Sequence, residues 1–338
     1  MSVYNGEAFI REASASILEQ TYGDLEFIIV NDGSTDTSLS IMQEYATKDE
    51  RIRIIDQENT GLTVALCRGI EAASGQYIAR MDVDDFSHPQ RFEKQMALFR
   101  TNADLVAVTC DVQHVSMNGP TSGRSSLDRD PRLMPLLLCF AIALCGLGQV
   151  IFSRKAYEAA GGYNPAYRYS QDYDLWTRLA DRGPFGSVRE VLYHWLARED
   201  GVSTRHKEAQ AACSQRVQRN QYAKVIGQEV DEATARALWQ YTRREPPEET
   251  SVSQSWRVAT LMLRGAQVFF HQHPELRHEK FETLRAFAAV WRWRRKECAT
   301  PSPLLRAAFW LCVLRLGCAA LVARAMHGTS DPVASGQA

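Results

Sequence analysis

Apolar residues crowd the stretch Leu25 to Val30 (LEFIIV) with almost no alternation, the pattern of a strand covered on both faces. Before it, Phe9 to Gln20 places Phe9, Ala13 and Ile17 on one helical face. After it, NDGSTD makes a turn, with Ser34 or Asp36 placed to cap a helix through about Ala46 that turns Leu39, Met42 and Tyr45 inward. A short strand over Ile52 to Ile55, the loop QENTG and a helix from about Leu62 to Ala73 follow. Tyr77 to Met81 reads as a strand, Pro89 opens a helix reaching about Arg100, and Leu105 to Cys110 is a further strand. Four β–α alternations in about 110 residues predict an α/β fold, a mostly parallel sheet flanked by helices.

Past that point the pattern changes. Gly119 to Arg132 is polar and turn-rich, predicting a surface loop. Between Arg132 and Arg154 lie 21 uncharged residues, enough by count to span a bilayer. Pro135, Gly146, Gly148 and Gln149 interrupt them, and the segment reads as a buried helix, about Leu133 to Leu144, followed by a strand. GGYNPAYRYSQDYDLWTRLADRG then predicts a turn, a short loop and a helix, and Ser187 to Trp195 a strand. Beyond Arg205 the stretches are long and helix-compatible, broken by REPPEET and PSP. The division is an α/β domain over residues 1–204 and a helical C-terminal appendage over 205–338.

Charge narrows the function classes. Thirty-nine Lys+Arg stand against 40 Asp+Glu, a net charge of −1, so a nucleic-acid binder with a basic surface is excluded. The eight cysteines form no CxxC pair, arguing against a disulfide framework or a zinc site. The N-terminus lacks a basic stretch followed by an apolar run, so the expected setting is cytoplasmic. Locally the balance tips: residues 285–326 carry eight Lys/Arg against Glu297 alone. The Trp291–Lys296 run, with Arg306, Arg315 and Arg324 spaced along the apolar Leu304–Met326, suits either peripheral contact with an anionic inner membrane leaflet or a helical tail packed on the protein. His271, His273 and His278, among Gln, Pro and Glu, read as a solvated face.

Candidate chemistry lies in the N-terminal half. ARMDVDD puts three carboxylates at the carboxyl end of a strand, the edge where open α/β sheets bind ligands. Asp82 and Asp84 point the same way on an extended backbone and suit Mg²⁺ or Mn²⁺ beside a diphosphate; a solvated turn before the helix at Pro89 is the plainer alternative. Asp32 occupies the same edge after the preceding strand, either as a turn residue or as an acceptor for a nucleoside. Asp172, near the start of the helix bearing Leu175, Trp176 and Leu179, is favoured in its charged form by exposed N–H groups, as a base or as a plain cap, with Asp174 as the second candidate.

Taken together, SVYNGEAFIREASASILEQTY, LEFIIVNDGSTD, ENTGLTVALCRGI with GQYIARMDVDD, and GGYNPAYRYSQDYDLWTRLADRG resemble a family 2 glycosyltransferase of the GT-A type nucleotide-sugar-binding fold, from Met1 to about Thr204. The resemblance makes residues 1–204 the catalytic domain. It implies that Val3 and Tyr4 line the base pocket, that Asp32 binds the base, and that Asp82 meets the ribose and diphosphate. Asp84 and Asp85 would form the metal site for Mn²⁺ or Mg²⁺, and Asp172 would be the catalytic base of an inverting displacement. Implied partners are a nucleoside-diphosphate sugar, UDP-linked first, and a glycan or lipid-linked acceptor in cell-surface polysaccharide synthesis. The chain departs from the family pattern at its start, where the first hydrophobic strand is largely missing. It departs again at Gln171, where Glu is usual, at Cys67, and at Leu147-Gly148. A non-catalytic nucleotide-sugar-binding scaffold is the rival reading; a sugar-nucleotidyltransferase is disfavoured for want of a Gly-rich basic phosphate loop.

Overall fold

The computed structural model describes residues 1–117, 119–127, 130–140, 148–198, 201–243, 252–280 and 283. In chain order its first half runs β1 (Ser2–Val3), α1 (Ile10–Leu18), β2 (Phe27–Asp32), α2 (Ser38–Ala46), β3 (Ile52–Gln57), α3 (Leu62–Ala72), β4 (Tyr77–Ala79), β5 (Phe86–Ser87) and α4 (Arg91–Thr101). There follow β6 (Ala107–Ser116), β7 (Gly119–Ser125), α5 (Met134–Leu138), β8 (Ile151–Ser153), α6 (Arg154–Ala159), α7 (Gln171–Leu179) and β9 (Phe185–Leu196). Four α-helices, α8 (Val202–Arg205), α9 (Lys207–Ile226), α10 (Glu232–Arg243) and α11 (Val252–Gln272), are followed by a 3-10 turn over Pro274–Glu279.

β1, β2 and β3 form a parallel sheet, with Val3 opposite Asn31 and Asp32 opposite Gln57. All six residues of β2 are buried, which explains its unbroken apolar run. The second sheet, ordered β4-β8-β6-β9-β5 with β7 paired to β6, is mixed: β6 and β9 run parallel, while β4–β8, β8–β6, β5–β9 and β6–β7 are antiparallel. One parallel bridge, Ser2 with Asp82, connects the two sheets. The core between them gathers Val3, Ile10, Ile17, Phe27, Ile29 and Met42 with Phe92, Phe99, Val108 and Ile151.

Buried amides fasten the helices. The Gln20 side chain donates to the carbonyls of Ser16 (2.9 Å) and His88 (2.8 Å) and accepts from the Phe92 N–H at 3.0 Å, tying the end of α1 to the start of α4. Gln95 donates to the carbonyls of Val108 and Gln149, both at 2.8 Å, fixing α4 on β6. Arg154 reaches the carbonyls of Ile70 (3.2 Å), Ala73 (2.6 Å) and Gly75 (2.7 Å), closing the carboxyl end of α3 with a cation.

Several expectations change in detail. The segment expected to be a loop over Gly119 to Arg132 contains β7, pairing Val112 with Ser125 and Gln113 with Arg124; small polar residues suit a strand at the margin of the sheet. Helix α2 begins one residue after Thr37, whose side chain makes no cap bond. Asp36 does that work, accepting from the Ser38 N–H at 2.9 Å. β1 is two residues long, and a cavity of about 650 Å³, lined among others by Ile17, Phe27, Ala65, Ile70, Tyr77 and Met96, opens below it between β2 and β4.

Residues 1–138 and the described residues as far as Val217 form one compact unit; Cys139, Phe140 and the described residues from Gln218 onward form another. The second unit packs Trp239, Val258, Leu261, Phe269 and Phe270, with the Tyr222 hydroxyl donating to the Leu261 carbonyl at 3.1 Å. Among the described residues no helix is long and apolar enough to cross a membrane. The Trp291–Lys296 run and the apolar Leu304–Met326 lie outside the described residues.

Gly33 illustrates how tightly the turn after β2 is drawn. Its φ is +73°, and a Cβ there would lie 2.6 Å from the Asn59 backbone nitrogen. Gly33→Ala is therefore expected to destabilise the fold by about 1–3 kcal/mol, read as a lowered urea midpoint at unchanged m-value.

Candidate active site

The loops at the carboxyl edge of the parallel sheet are laced together before any ligand is considered. Asn5, itself in the left-handed region at φ 50°, donates its N–H to Ser34 (3.0 Å) and accepts from the Thr35 N–H at 2.8 Å. The Gly6 N–H donates to the Ser38 hydroxyl at 2.8 Å, and the Glu7 carboxylate accepts from the Thr37 N–H and hydroxyl at 3.0 and 2.6 Å. The segment carrying Val3 and Tyr4 is thus held against the turn after β2. Val3 is fully buried, whereas Tyr4 stands 53% exposed at the rim.

Asp32 is 2% exposed and heavily used. One carboxylate oxygen accepts from the Gln57 amide (2.7 Å) and from the Thr60 N–H (2.9 Å) and hydroxyl (3.1 Å); the other accepts from the Gly61 N–H at 2.9 Å. It organises the β3–α3 loop into a wall at the sheet edge.

Pairing of Ser2 with both Val30 and Asp82 brings the ends of β2 and β4 to either side of β1. Asp32 and Asp82 therefore flank the same short strand, as their positions in sequence predict. Asp82 accepts from Arg80 Nη2 at 2.6 Å. Asp84 faces Arg198 at 3.3 Å, and the Arg198 guanidinium also lies 4.3 Å from the centre of the Phe9 ring. Burial, with Asp82 adding like charge, pushes the Asp84 carboxyl above its ordinary range, while Arg198 pulls the other way. Two hard oxygen donors so placed, each already facing a guanidinium, fit a divalent ion such as Mg²⁺ or Mn²⁺.

Asp85 has a different environment. It is 4% exposed, with one oxygen accepting from the Tyr193 hydroxyl (2.7 Å) and the other from the Leu196 N–H (2.9 Å). Both oxygens are taken by the protein, so Asp85 acts as an anchor fixing the acidic turn on β9. Burial, Asp82 and Asp84 together push its proton affinity well up. Beneath it lies Arg91, fully buried, with its guanidinium 5.0 Å from the centre of the Tyr193 ring.

On the far side, α7 starts from Ser170, a non-glycine residue at φ 58°. Its hydroxyl is held by Ser214 at 2.6 Å and the Gln210 carbonyl at 3.2 Å, leaving no side-chain cap on the helix. That fixed backbone sets Asp172 and Asp174 in the first turn. Asp174 is committed to Arg178, at 2.5 and 3.0 Å. Asp172 has no ion pair among the described residues. Burial raises its pKa to about 6, against the backbone N–H of Tyr173 and the charge of Arg80, with Asp82 adding to the rise. Asp172 thus shares an electrostatic neighbourhood with Arg80 and Asp82.

Arg80, Arg198 and Tyr193 are absent from the sequence reading. Arg80 carried a usable signal: two positions before Asp82 on an extended backbone, it shares that residue's face. Arg198 and Tyr193 carried none, because β9 reaches the acidic turn only through long-range pairing of Phe86 with His194 and Ser87 with Tyr193.

Comparison with known proteins fits this geometry. Residues 1–160 match the family described as Glycosyl transferase family 2. The putative glycosyltransferase EpsE of Bacillus subtilis is 33% identical over 205 residues, 59% of this chain and 72% of that protein. Chondroitin synthase of Escherichia coli is 27% identical over 210 residues, 61% of this chain, which spans only 30% of that relative's length. The structure of S. aureus TarS 1-349 in complex with UDP-GlcNAc superposes with a TM-score of 0.58 at 14% identity, over 89% of this chain and 91% of that one. The chain belongs to glycosyl transferase family 2, with the GT-A type fold.

The raised pKa of Asp172 makes a stability prediction with a definite sign. A carboxyl with higher proton affinity folded than unfolded opposes folding when ionised, and the opposition fades as pH falls through about 6. Asp172→Asn should raise unfolding free energy by on the order of 1–3 kcal/mol at about pH 8, with the gain gone by about pH 4. Denaturant titrations of both proteins at the two pH values check it.

Proposed function

We propose that this protein transfers a sugar from a nucleoside-diphosphate sugar, UDP-linked first, to a hydroxyl of a glycan or lipid-linked acceptor, with inversion at the anomeric carbon. The observation that carries the reading is the contrast within one helical turn. Asp174 is locked to Arg178, while Asp172 has no ion pair among the described residues and its proton affinity is raised towards neutrality. A general base works best with such a value.

In this reading Val3, Tyr4 and the wall built on Asp32 receive the base, and Asp82 meets the ribose and diphosphate. Asp172 accepts the proton of the acceptor hydroxyl as that oxygen bonds to the anomeric carbon. The bond from that carbon to the diphosphate breaks, its electron pair leaving with the phosphate oxygen. A divalent cation held by Asp84, with Asp82 beside it and Asp85 anchoring the turn, would supply positive charge to the departing diphosphate. Arg198, already on Asp84, brings a further cation to that end of the site. Support for a UDP donor is the shared fold of the TarS complex with UDP-GlcNAc, and support for a polysaccharide acceptor is the match to chondroitin synthase. A cytoplasmic enzyme touching the inner leaflet through its basic tail completes the proposal.

The test is nucleotide release from UDP-sugars with Mn²⁺ and a panel of acceptors. Asp172→Asn and Asp84→Ala should each lower kcat by about 100-fold or more. Parent-like turnover in either variant would remove the role assigned to that residue. UDP binding by calorimetry with no turnover on any acceptor would instead support the non-catalytic scaffold.

A further inference from the structure

Helix α11 is charged on one side only. From Val252 to Gln272 it has no acidic residue, while Arg257, Arg264 and His271 recur every seven positions. Seven residues return almost to the same side of an α-helix. Thr260 and Gln267 fall between them, so five exposed polar side chains form one ridge, about 21 Å long at the helical rise per residue. Leu261, Met262, Leu263, Phe269 and Phe270 of the same helix are buried. The ridge ends in a cavity of about 380 Å³, lined by Gln267, Phe270 and His271 of the helix and by Arg277 and Lys280 beyond it.

Arg257, Arg264 and Arg277 make no ion pair among the described residues. The acids around them face other groups. Asp231 accepts from the Thr234 N–H and hydroxyl at 2.9 and 2.8 Å, Glu275 lies 3.3 Å from His273, and Glu279 lies 3.7 Å from His278. A row of guanidinium groups without counter-charges attracts anions, and each fork matches a carboxylate with two parallel hydrogen bonds. At the cavity the Gln267 amide can meet a hydroxyl, and the buried Phe270 ring offers an apolar wall to the C–H face of a sugar. A membrane surface fits less well, because a helix lying in lipid turns large apolar side chains towards it, and those of α11 point into the protein.

We propose that this ridge and the cavity at its end bind an acidic glycan, a linear chain of sugars bearing carboxylates. The binding belongs to the helical unit alone and does not depend on the base assigned to Asp172, so it is measured without a sugar donor.

The experiment titrates the full chain, by calorimetry, with oligogalacturonate long enough to cover the ridge and with its neutral methyl ester. The parent is expected to bind the acid, more weakly as salt rises, and not the ester. Arg264→Glu combined with Arg277→Glu should lower the affinity by about ten-fold or more, whereas Arg264→Lys with Arg277→Lys should keep most of it. Should the glutamate pair fail to fold, Arg264→Gln with Arg277→Gln carries the comparison. Equal affinity of the parent for acid and ester, or of the parent and the charge-reversed variant for the acid, overturns the proposal. Binding to phosphatidylglycerol vesicles but not to oligogalacturonate overturns it too, and makes the ridge a membrane surface. Loss of the proposed role of Asp172 or Asp84 in the turnover assays would leave this binding unchanged.

Discussion

The central constraint on this molecule is the confinement of like charges. Asp82, Asp84 and Asp85 lie within four consecutive positions of chain at the carboxyl edge of a buried sheet; Asp82 raises the proton affinity of Asp84, and both raise that of Asp85. Carboxylates in such a place are tolerated only with hydrogen-bond donors or cations close by. The protein supplies them from every direction: Arg80 from the strand before, Tyr193 and Leu196 from β9, Arg198 from the chain following it, and Arg91 from α4 beneath. The mixed second sheet makes this convergence possible, because β9 pairs in parallel with β6 and antiparallel with the short β5 directly after the acidic turn.

Neighbouring carboxylates consequently take different duties. Asp85 is spent on the protein interior, Asp82 is paired to a buried cation, and Asp84 faces a partly exposed one. The same division recurs on α7, where Asp174 is tied into an ion pair one half-turn from Asp172. Identical side chains two residues apart are told apart by what reaches them from elsewhere in the fold.

That is also why the sequence was legible in one respect and opaque in another. Periodicity located the β–α units from α1 to α4, since the apolar run at Phe27–Val30 and the amphipathic helices carry their own signal. That Asp32 and Asp82 both follow strands at the ligand-binding edge was read from the same alternation; the fold sets them on either side of β1. Polar strands gave no such signal: β7, made of Gly, Ser, Thr and Arg, reads as a loop until β6 is there to pair with it. Nor could spacing reveal that both oxygens of Asp85 are engaged, because Tyr193 lies more than a hundred positions away along the chain. Local pattern fixes elements; the partners of a buried charge are chosen by tertiary contact.

Among the described residues one β-bridge joins the two sheets, Ser2 with Asp82. The seam between the three parallel strands and the six mixed strands thus passes through the backbone of a residue whose carboxylate belongs to the candidate site. A substitution that disturbs the backbone at Asp82 therefore touches at once the joint between the sheets and the acidic turn that follows it.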